Sequence, residues 1–199
     1  LINLSLPNIV SLVRVLLSPF FLVFLISDDV VFVQLALLLF AVGAFTDYLD
    51  GFLARKMKLT SNLGKFLDPL ADKVLILSAF VAFYIMEIIP FWALSIFIVR
   101  DVFTTLMRIL ADGRGYNMKT SGNAKAKTFF QMGFIIFILL LVSGEVNADN
   151  TDDVLLYQQA LESNWVTYTM YILLAYTVFT LIDYLIANKT LFTSSVRDR

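Results

Sequence analysis

Residues 30–55 read VVFVQLALLLFAVGAFTDYLDGFLAR. Residues 30–46 carry no charge. Asp47 and Asp50 then appear inside the same apolar run, and Arg55 closes it. A membrane-spanning helix needs about 20 mostly apolar residues, so the stretch from Val30 to Ala54 reads as one span with two carboxylates near its end. Asp47 stands eight residues before Arg55, about 12 Å along a helix rising 1.5 Å per residue. A lone carboxylate at that depth costs several kcal/mol or takes up a proton. Convergence of several carboxylates on one cation removes the penalty. Asp47 and Asp50 are spaced i,i+3 and Ala54 continues their stripe, so all three share a helix face.

The remainder of the chain fits the same solvent. The protein has 199 residues, 59% hydrophobic and 16% charged, with a mean hydropathy of +0.82. A soluble domain has about 45–50% apolar and about 25% charged residues. Five further spans are expected: Pro7 to Ile26, Pro69 to Ile89, Pro90 to Leu110, Thr128 to Val142 and Trp165 to Ala187. Arg14 interrupts the first, and no basic n-region or small-residue cleavage site accompanies it; it is expected to be a retained helix. Pro69 and Pro90 suit first-turn helix positions, with Asp68 as an N-cap before the former. Residues 144–163 are polar and read as a loop with a short helix around Leu155 to Leu161. The expected fold is all-α: one domain over residues 1–199, an integral membrane bundle of six transmembrane helices.

Charge placement sets the orientation. Arg55, Lys56, Lys58 and Lys65 follow the second span; Arg114, Lys119, Lys125 and Lys127 follow the fourth; Lys189, Arg197 and Arg199 follow the sixth. The other three connections hold Asp28, Asp29, Glu87, Glu145, Asp149, Asp152, Asp153 and Glu162, with no Lys or Arg. The positive-inside rule then puts both termini and the two basic connections in the cytoplasm. Charges within spans are functional candidates by default: Arg14, Asp47, Asp50, Asp72, Lys73, Arg100, Asp101, Arg108 and Asp183, all toward the cytoplasmic ends. Asp47 and Asp50 could instead pair with Arg14 or Arg100, but that leaves their spacing to Asp68 and Asp72 unexplained. No role is assigned to Arg100, Asp101 or Asp183.

The chain has no cysteine and no histidine. Disulfides, thiolate metal sites, imidazole bases and Ser-His-Asp triads are therefore excluded. A metal here would have oxygen ligands, which favours hard cations such as Mg²⁺, Mn²⁺ or Ca²⁺. Asp68 and Asp72 are spaced i,i+4 where the third span begins, so two joined helices present four carboxylates to each other. Such a set suits one or two divalent cations, the clamp used for in-line phosphoryl displacement. Gly51 and Ala54 leave room for a ligand near the backbone, and Gly64 can supply a turn before the third helix.

The run Asp47-Tyr-Leu-Asp50-Gly51-Phe-Leu-Ala54-Arg55, eight residues, Gly64, three residues, Asp68, three residues, Asp72 resembles the signature of the CDP-alcohol phosphatidyltransferase family, with every specified position filled. The resemblance implies a membrane enzyme that moves a phosphatidyl group from CDP-diacylglycerol to an alcohol with Mg²⁺ or Mn²⁺. It implies that Asp47, Asp50, Asp68 and Asp72 bind the metal and that Asp72 is also the base. It implies a CDP site at Asp47, Asp50, Gly51, Ala54, Arg55, Gly64 and Asp68, and a homodimer. Membrane lipids are expected partners and nucleic acid is not.

The acceptor is read from a second basic cluster. Arg100, Thr104 and Arg108 recur at i, i+4 and i+8, Arg114 follows, and Lys125 and Lys127 stand where the fifth span begins. Arg108, Arg114, Lys125 and Lys127 are the candidates for gripping an anionic, phosphorylated acceptor through charge-assisted hydrogen bonds. Obedience to the positive-inside rule would alone explain Lys119. Within the family the pattern is most similar to phosphatidylglycerophosphate synthases, which use glycerol 3-phosphate. The segments that carry this are Leu6-Pro-Asn-Ile-Val-Ser-Leu-Val-Arg14, Leu106-Met107-Arg108 and Lys125-Ala-Lys127-Thr128-Phe-Phe-Gln131. Arg100-Asp101 departs from their usual Arg-Glu and is similar to cardiolipin synthases, whose acceptor is phosphatidylglycerol. An inositol-phosphate transferase is a further alternative. A divalent-cation transporter is the alternative of another class. It should show inverted repeats and interrupted midplane helices, and the sequence has neither.

Overall fold

The computed structural model describes the backbone of residues 6–57, 64–113 and 122–189, and the side chains of residues 11–46, 71, 73–111, 113, 122–123 and 125–189. Among the described residues there are seven helices and no strand: α1 (Leu6–Leu25), α2 (Val30–Met57), α3 (Gly64–Ile85), α4 (Phe91–Gly113), α5 (Gly122–Val146), α6 (Thr151–Leu161) and α7 (Asn164–Ala187). Six of them have 20 to 28 residues, about 30 to 42 Å long. A bilayer's hydrocarbon core is about 30 Å thick. Lys125–Val146 and Thr151–Ala187 are long and apolar enough to cross it among the described residues, and Ser11–Leu25, Val30–Thr46 and Lys73–Ile85 are shorter apolar stretches.

The surface agrees with lipid as solvent. Leu16, Phe20 and Val23 on α1, Phe129 and Phe130 on α5, and Ile172, Ile182 and Ile186 on α7 all face outward, Phe129 being 75% exposed. Soluble monomers rarely show contiguous apolar patches beyond a few hundred Å². Trp92 and Trp165 stand at the starts of α4 and α7, where interfacial anchors belong.

Helix directions follow from cross-helix contacts. Trp92 stacks on Tyr171 at 5.8 Å and Arg100 reaches Thr180, so α4 and α7 run parallel. Asn123, at the start of α5, hydrogen-bonds Asp183 near the end of α7, so α5 runs antiparallel to both. The connections after α1, α3 and α5 meet at one end, where Asp28, Glu87, Glu145 and Glu162 line a cavity of about 990 Å³.

The core is divided along the bundle axis. Toward the acidic end it is apolar: Phe21 meets Phe40 at 5.5 Å, Phe80 stacks on Phe97 at 4.3 Å, and Phe83 and Phe134 close against them. Ile135, Ile138 and Val142 on α5 and Met170, Leu173 and Leu174 on α7 complete it. Toward the other end the buried side chains are polar: Ser11, Arg14 and Ser18 on α1, Arg100, Asp101, Thr104 and Thr105 on α4, Lys127 and Gln131 on α5, and Thr177 and Thr180 on α7.

Several boundaries differ from those expected. α3 begins at Gly64 rather than Pro69, so Gly64 opens the helix instead of turning before it, and Asp68 lies inside it rather than capping it. A proline removes the bond to the carbonyl four residues back and crowds that carbonyl, yet α3 runs through Pro69 in its second turn. α3 ends at Ile85, not Ile89. Glu87 takes φ 61°, Ile88 N–H bonds Phe83 C=O at 2.9 Å and Glu87 N–H bonds Tyr84 C=O at 3.1 Å. This is a Schellman stop with a glutamate in the left-handed position usually taken by glycine. α5 begins at Gly122, six residues before Thr128, so Lys125 and Lys127 lie within the helix.

α6 starts at Thr151, earlier than Leu155, and packs back on α5. Gly144 permits this: a Cβ there would overlap the Tyr157 ring. Gln158 Nε2 also donates to Glu145 Oε1 at 2.9 Å, and Gln34 Nε2 to Asn147 Oδ1 at 2.7 Å. Gly144→Val should therefore lower stability by about 1–3 kcal/mol, the usual range for overpacking. Thermal unfolding in detergent measures it. An unchanged melting temperature would mean that α6 does not rest on Gly144.

Candidate active site

Backbone geometry brings the two halves of the aspartate motif to the polar end. Asp47, Asp50, Gly51, Ala54 and Arg55 occupy the last three turns of α2; Gly64, Asp68 and Asp72 occupy the first three of α3. The helices are joined by residues 58–63 and contact each other. Gly64, Asp68 and Asp72 recur every four residues and so share one face of α3. Asp47 lies ten residues before the end of α2 and Asp72 eight after the start of α3, depths of about 15 and 12 Å. The side chains of these eight motif residues lie outside the described ones, as do Arg114, Lys58 and Lys119 altogether.

An all-aspartate donor set fits a hard divalent cation. The four aspartates of α2 and α3 are the residues that would hold one; among the described side chains no three acids come together.

The described side chains beside the motif form a buried charge cluster. Asp101 on α4 and Lys127 on α5 are fully buried, with Lys127 Nζ donating to Asp101 Oδ1 at 2.6 Å. Arg100 Nη1 donates to the same oxygen at 2.8 Å. Arg100 Nη2 donates to Thr180 Oγ1 at 3.0 Å, tying α4 to α7. Thr180 Oγ1 in turn donates to Thr177 C=O at 2.9 Å, and Thr104 Oγ1 to Arg100 C=O at 3.0 Å. Lys73, the neighbour of Asp72 on α3, lies close enough to act electrostatically on both Asp101 and Lys127. The cluster is thus coupled to the helix that carries Asp68 and Asp72.

The candidate acceptor residues separate. Lys127 is enclosed, whereas Lys125 is exposed and Arg108 is partly exposed two turns beyond Arg100 on α4. Asp183, which had no role from sequence, accepts from Asn123 Nδ2 at 3.4 Å and tethers the start of α5 to α7. Sequence reading placed Gln131 in a family-like segment and gave it no role. It lies one turn beyond Lys127 on the same face of α5, fully buried, with neither amide atom hydrogen-bonded. A glutamine at i+4 from a buried lysine was the available signal.

Comparison with known proteins identifies the family. The family model described as CDP-alcohol phosphatidyltransferase matches residues 4–182. A Bacillus subtilis (strain 168) protein named CDP-diacylglycerol–glycerol-3-phosphate 3-phosphatidyltransferase is 32% identical over 148 residues, covering 68% of this chain and 77% of its own. A Yersinia pestis (strain Pestoides F) protein of the same name is 32% identical over 169 residues, 82% of this chain and 91% of its own. A Mycobacterium tuberculosis (strain ATCC 25618 / H37Rv) protein named "Probable phosphatidylglycerophosphate synthase" is 32% identical over 146 residues, 72% of this chain and 69% of its own. With the family model spanning both motif helices and the buried charge cluster, the chain belongs to the CDP-alcohol phosphatidyltransferase family.

Proposed function

We propose that the protein transfers the phosphatidyl group of CDP-diacylglycerol to glycerol 3-phosphate, giving phosphatidylglycerophosphate and CMP. The observation that carries this is the pair of relatives bearing that activity in their names across 68% and 82% of the chain. The buried cations beside the motif support it, because a phosphorylated acceptor needs positive charge next to the phosphoryl site.

In this reading Asp47, Asp50, Asp68 and Asp72 would hold one or two Mg²⁺ or Mn²⁺ ions, which would supply positive charge to the pyrophosphate. Gly51 and Ala54 let the cytidine diphosphate approach α2, Arg55 pairs with its phosphates, and Gly64 leaves room on α3. Arg108, Arg114 and Lys127 hold the acceptor phosphate, whereas Lys125, exposed on α5 two residues before the enclosed Lys127, does not share its face. Asp72 takes the proton from the acceptor's primary hydroxyl. That oxygen bonds to the phosphatidyl phosphorus, the bond to the bridging oxygen breaks, and CMP leaves with the electron pair. Holding both reactants in line supplies much of the rate.

All six long helices span the membrane in this reading, with both termini and the active site cytoplasmic and the acidic end outside. The family resemblance adds a homodimer, readable from the mass of the purified protein in detergent. The acidic connections without Lys or Arg support the orientation. A cysteine introduced at Asp152 should react with an impermeant thiol reagent from outside intact cells, and one at Lys58 should not. The reverse pattern would overturn the orientation.

Purified protein supplied with CDP-diacylglycerol and Mg²⁺ or Mn²⁺ should release CMP with glycerol 3-phosphate. Asp68→Asn and Asp72→Asn should abolish release while leaving the protein folded. Near-normal turnover by either variant removes the metal-site assignment. Turnover of phosphatidylglycerol alone selects a cardiolipin synthase, turnover of an inositol phosphate the third acceptor class, and no CMP with any acceptor rejects the enzyme.

Arg108→Ala should raise KM for glycerol 3-phosphate more than that for CDP-diacylglycerol. A guanidinium can hold two phosphate oxygens, and losing a charge-assisted bond costs about 1.5–3 kcal/mol, about ten- to a hundredfold in KM. An unmoved KM would take Arg108 out of the acceptor site.

A further inference from the structure

One carboxylate in the polar half of the bundle serves two cations. Asp101 Oδ1 accepts from both Lys127 and Arg100, while Oδ2 is buried with no hydrogen-bond partner. Among the described side chains Asp101 is the carboxylate that the buried Arg100 and Lys127 share, with the partly exposed Lys73 nearby. Buried cations are costly unless such a carboxylate pairs with them.

Further open positions surround the cluster. Arg100 Nε, Thr177 Oγ1 and both amide atoms of Gln131 are buried and unpartnered. Unsatisfied buried polar groups are rare and call for a water, an ion or a ligand. Lysine has a flexible four-carbon stem and tends to carry its ammonium toward water. Here the ammonium is fully enclosed, and Asp101 is the acceptor recorded for it.

We propose that Asp101 is a positioning residue for the acceptor. Through its Oδ1 it holds the Lys127 ammonium and the Arg100 guanidinium inside the bundle, and so presents Lys127 to the acceptor's phosphate. Asp101 does not touch the acceptor; it acts through Lys127. The inference rests on the glycerol 3-phosphate reading above and adds the group that builds its phosphate subsite. The link from α4 to α5 through Asp101, and from α4 to α7 through Arg100 and Thr180, fixes that subsite on three helices at once.

The test is steady-state kinetics on the purified protein with CDP-diacylglycerol and glycerol 3-phosphate varied in turn. Asp101→Asn should raise KM for glycerol 3-phosphate about ten- to a hundredfold, the loss expected for a charge-assisted phosphate contact, and leave KM for CDP-diacylglycerol nearly unchanged. Asp101→Glu, which keeps the charge, should restore most of the loss. Lys127→Met should reproduce the Asp101→Asn defect, and the double variant should be no worse than Lys127→Met alone, because residues acting through one another are not additive. The double variant also removes the buried ammonium that the single variant leaves unpaired, and Arg100 keeps its bond to Thr180 in both. If Asp101→Asn does not survive purification, the comparison of Lys127→Met with the double variant decides the matter. An unmoved glycerol 3-phosphate KM in Asp101→Asn, equal rises for both substrates with a lower melting temperature, or multiplicative losses in the double variant would each overturn the inference. A wild-type protein active only on another acceptor rejects the acceptor reading and this inference with it. A wild type active on glycerol 3-phosphate with an unaffected Asp101→Asn rejects the inference alone.

Discussion

Charge inside a low-dielectric bundle must be neutralised locally, and the polar half of this protein is organised around that requirement. Removing one partner of a buried ion pair typically costs about 3–5 kcal/mol, because the other is left uncompensated. Lys127 and Asp101 meet this constraint across two helices, and Arg100 shares the same carboxylate oxygen while reaching a third helix at Thr180. The packing of α4 against α5 and α7 at this end therefore depends on electrostatic pairing as well as on apolar contact.

The other half of the bundle supplies a different kind of support. Phe80, Phe83, Phe97 and Phe134 join α3, α4 and α5 through ring contacts of 4.3 to 6.5 Å. Aromatic pairs contribute about 0.5–1.5 kcal/mol beyond their area, and they need no water. Rigid aromatic packing at the acidic end leaves the opposite end free to collect polar side chains. The aspartate motif and the cation cluster share that end because α3 begins there, α4 ends there and α5 begins there. The proposed transfer, from a lipid-borne pyrophosphate to a hydroxyl of a soluble phosphorylated alcohol, suits such a place, close to the headgroups yet enclosed by the helices.

Much of this was legible in the sequence because its signals are local. Apolar runs of about 20 residues gave the long helices, and i,i+3 and i,i+4 spacings put Asp47 with Asp50 and Asp68 with Asp72 on helix faces. Helix starts were less legible. Pro69 reads as a first-turn residue and Asp68 as its cap, yet α3 begins at Gly64. The segment from Gly122 to Lys127 reads as polar approach, yet it is helical. Composition marks where lipid begins, and a helix is free to extend beyond that boundary.

By itself the sequence determined the helical class, the solvent, the ordering of acidic and basic connections, and the four-aspartate motif. Each is written in residues adjacent in the chain or one helical turn apart. Only the tertiary structure decided that Lys127 is enclosed while Lys125 is exposed, that Asp101 is its counter-ion, and that Arg100 reaches Thr180. Asp101 and Lys127 are 26 positions apart, and Arg100 and Thr180 are 80 apart. No periodicity relates residues on different helices; their pairing depends on how three helices pack, which the requirement to neutralise buried charge selects.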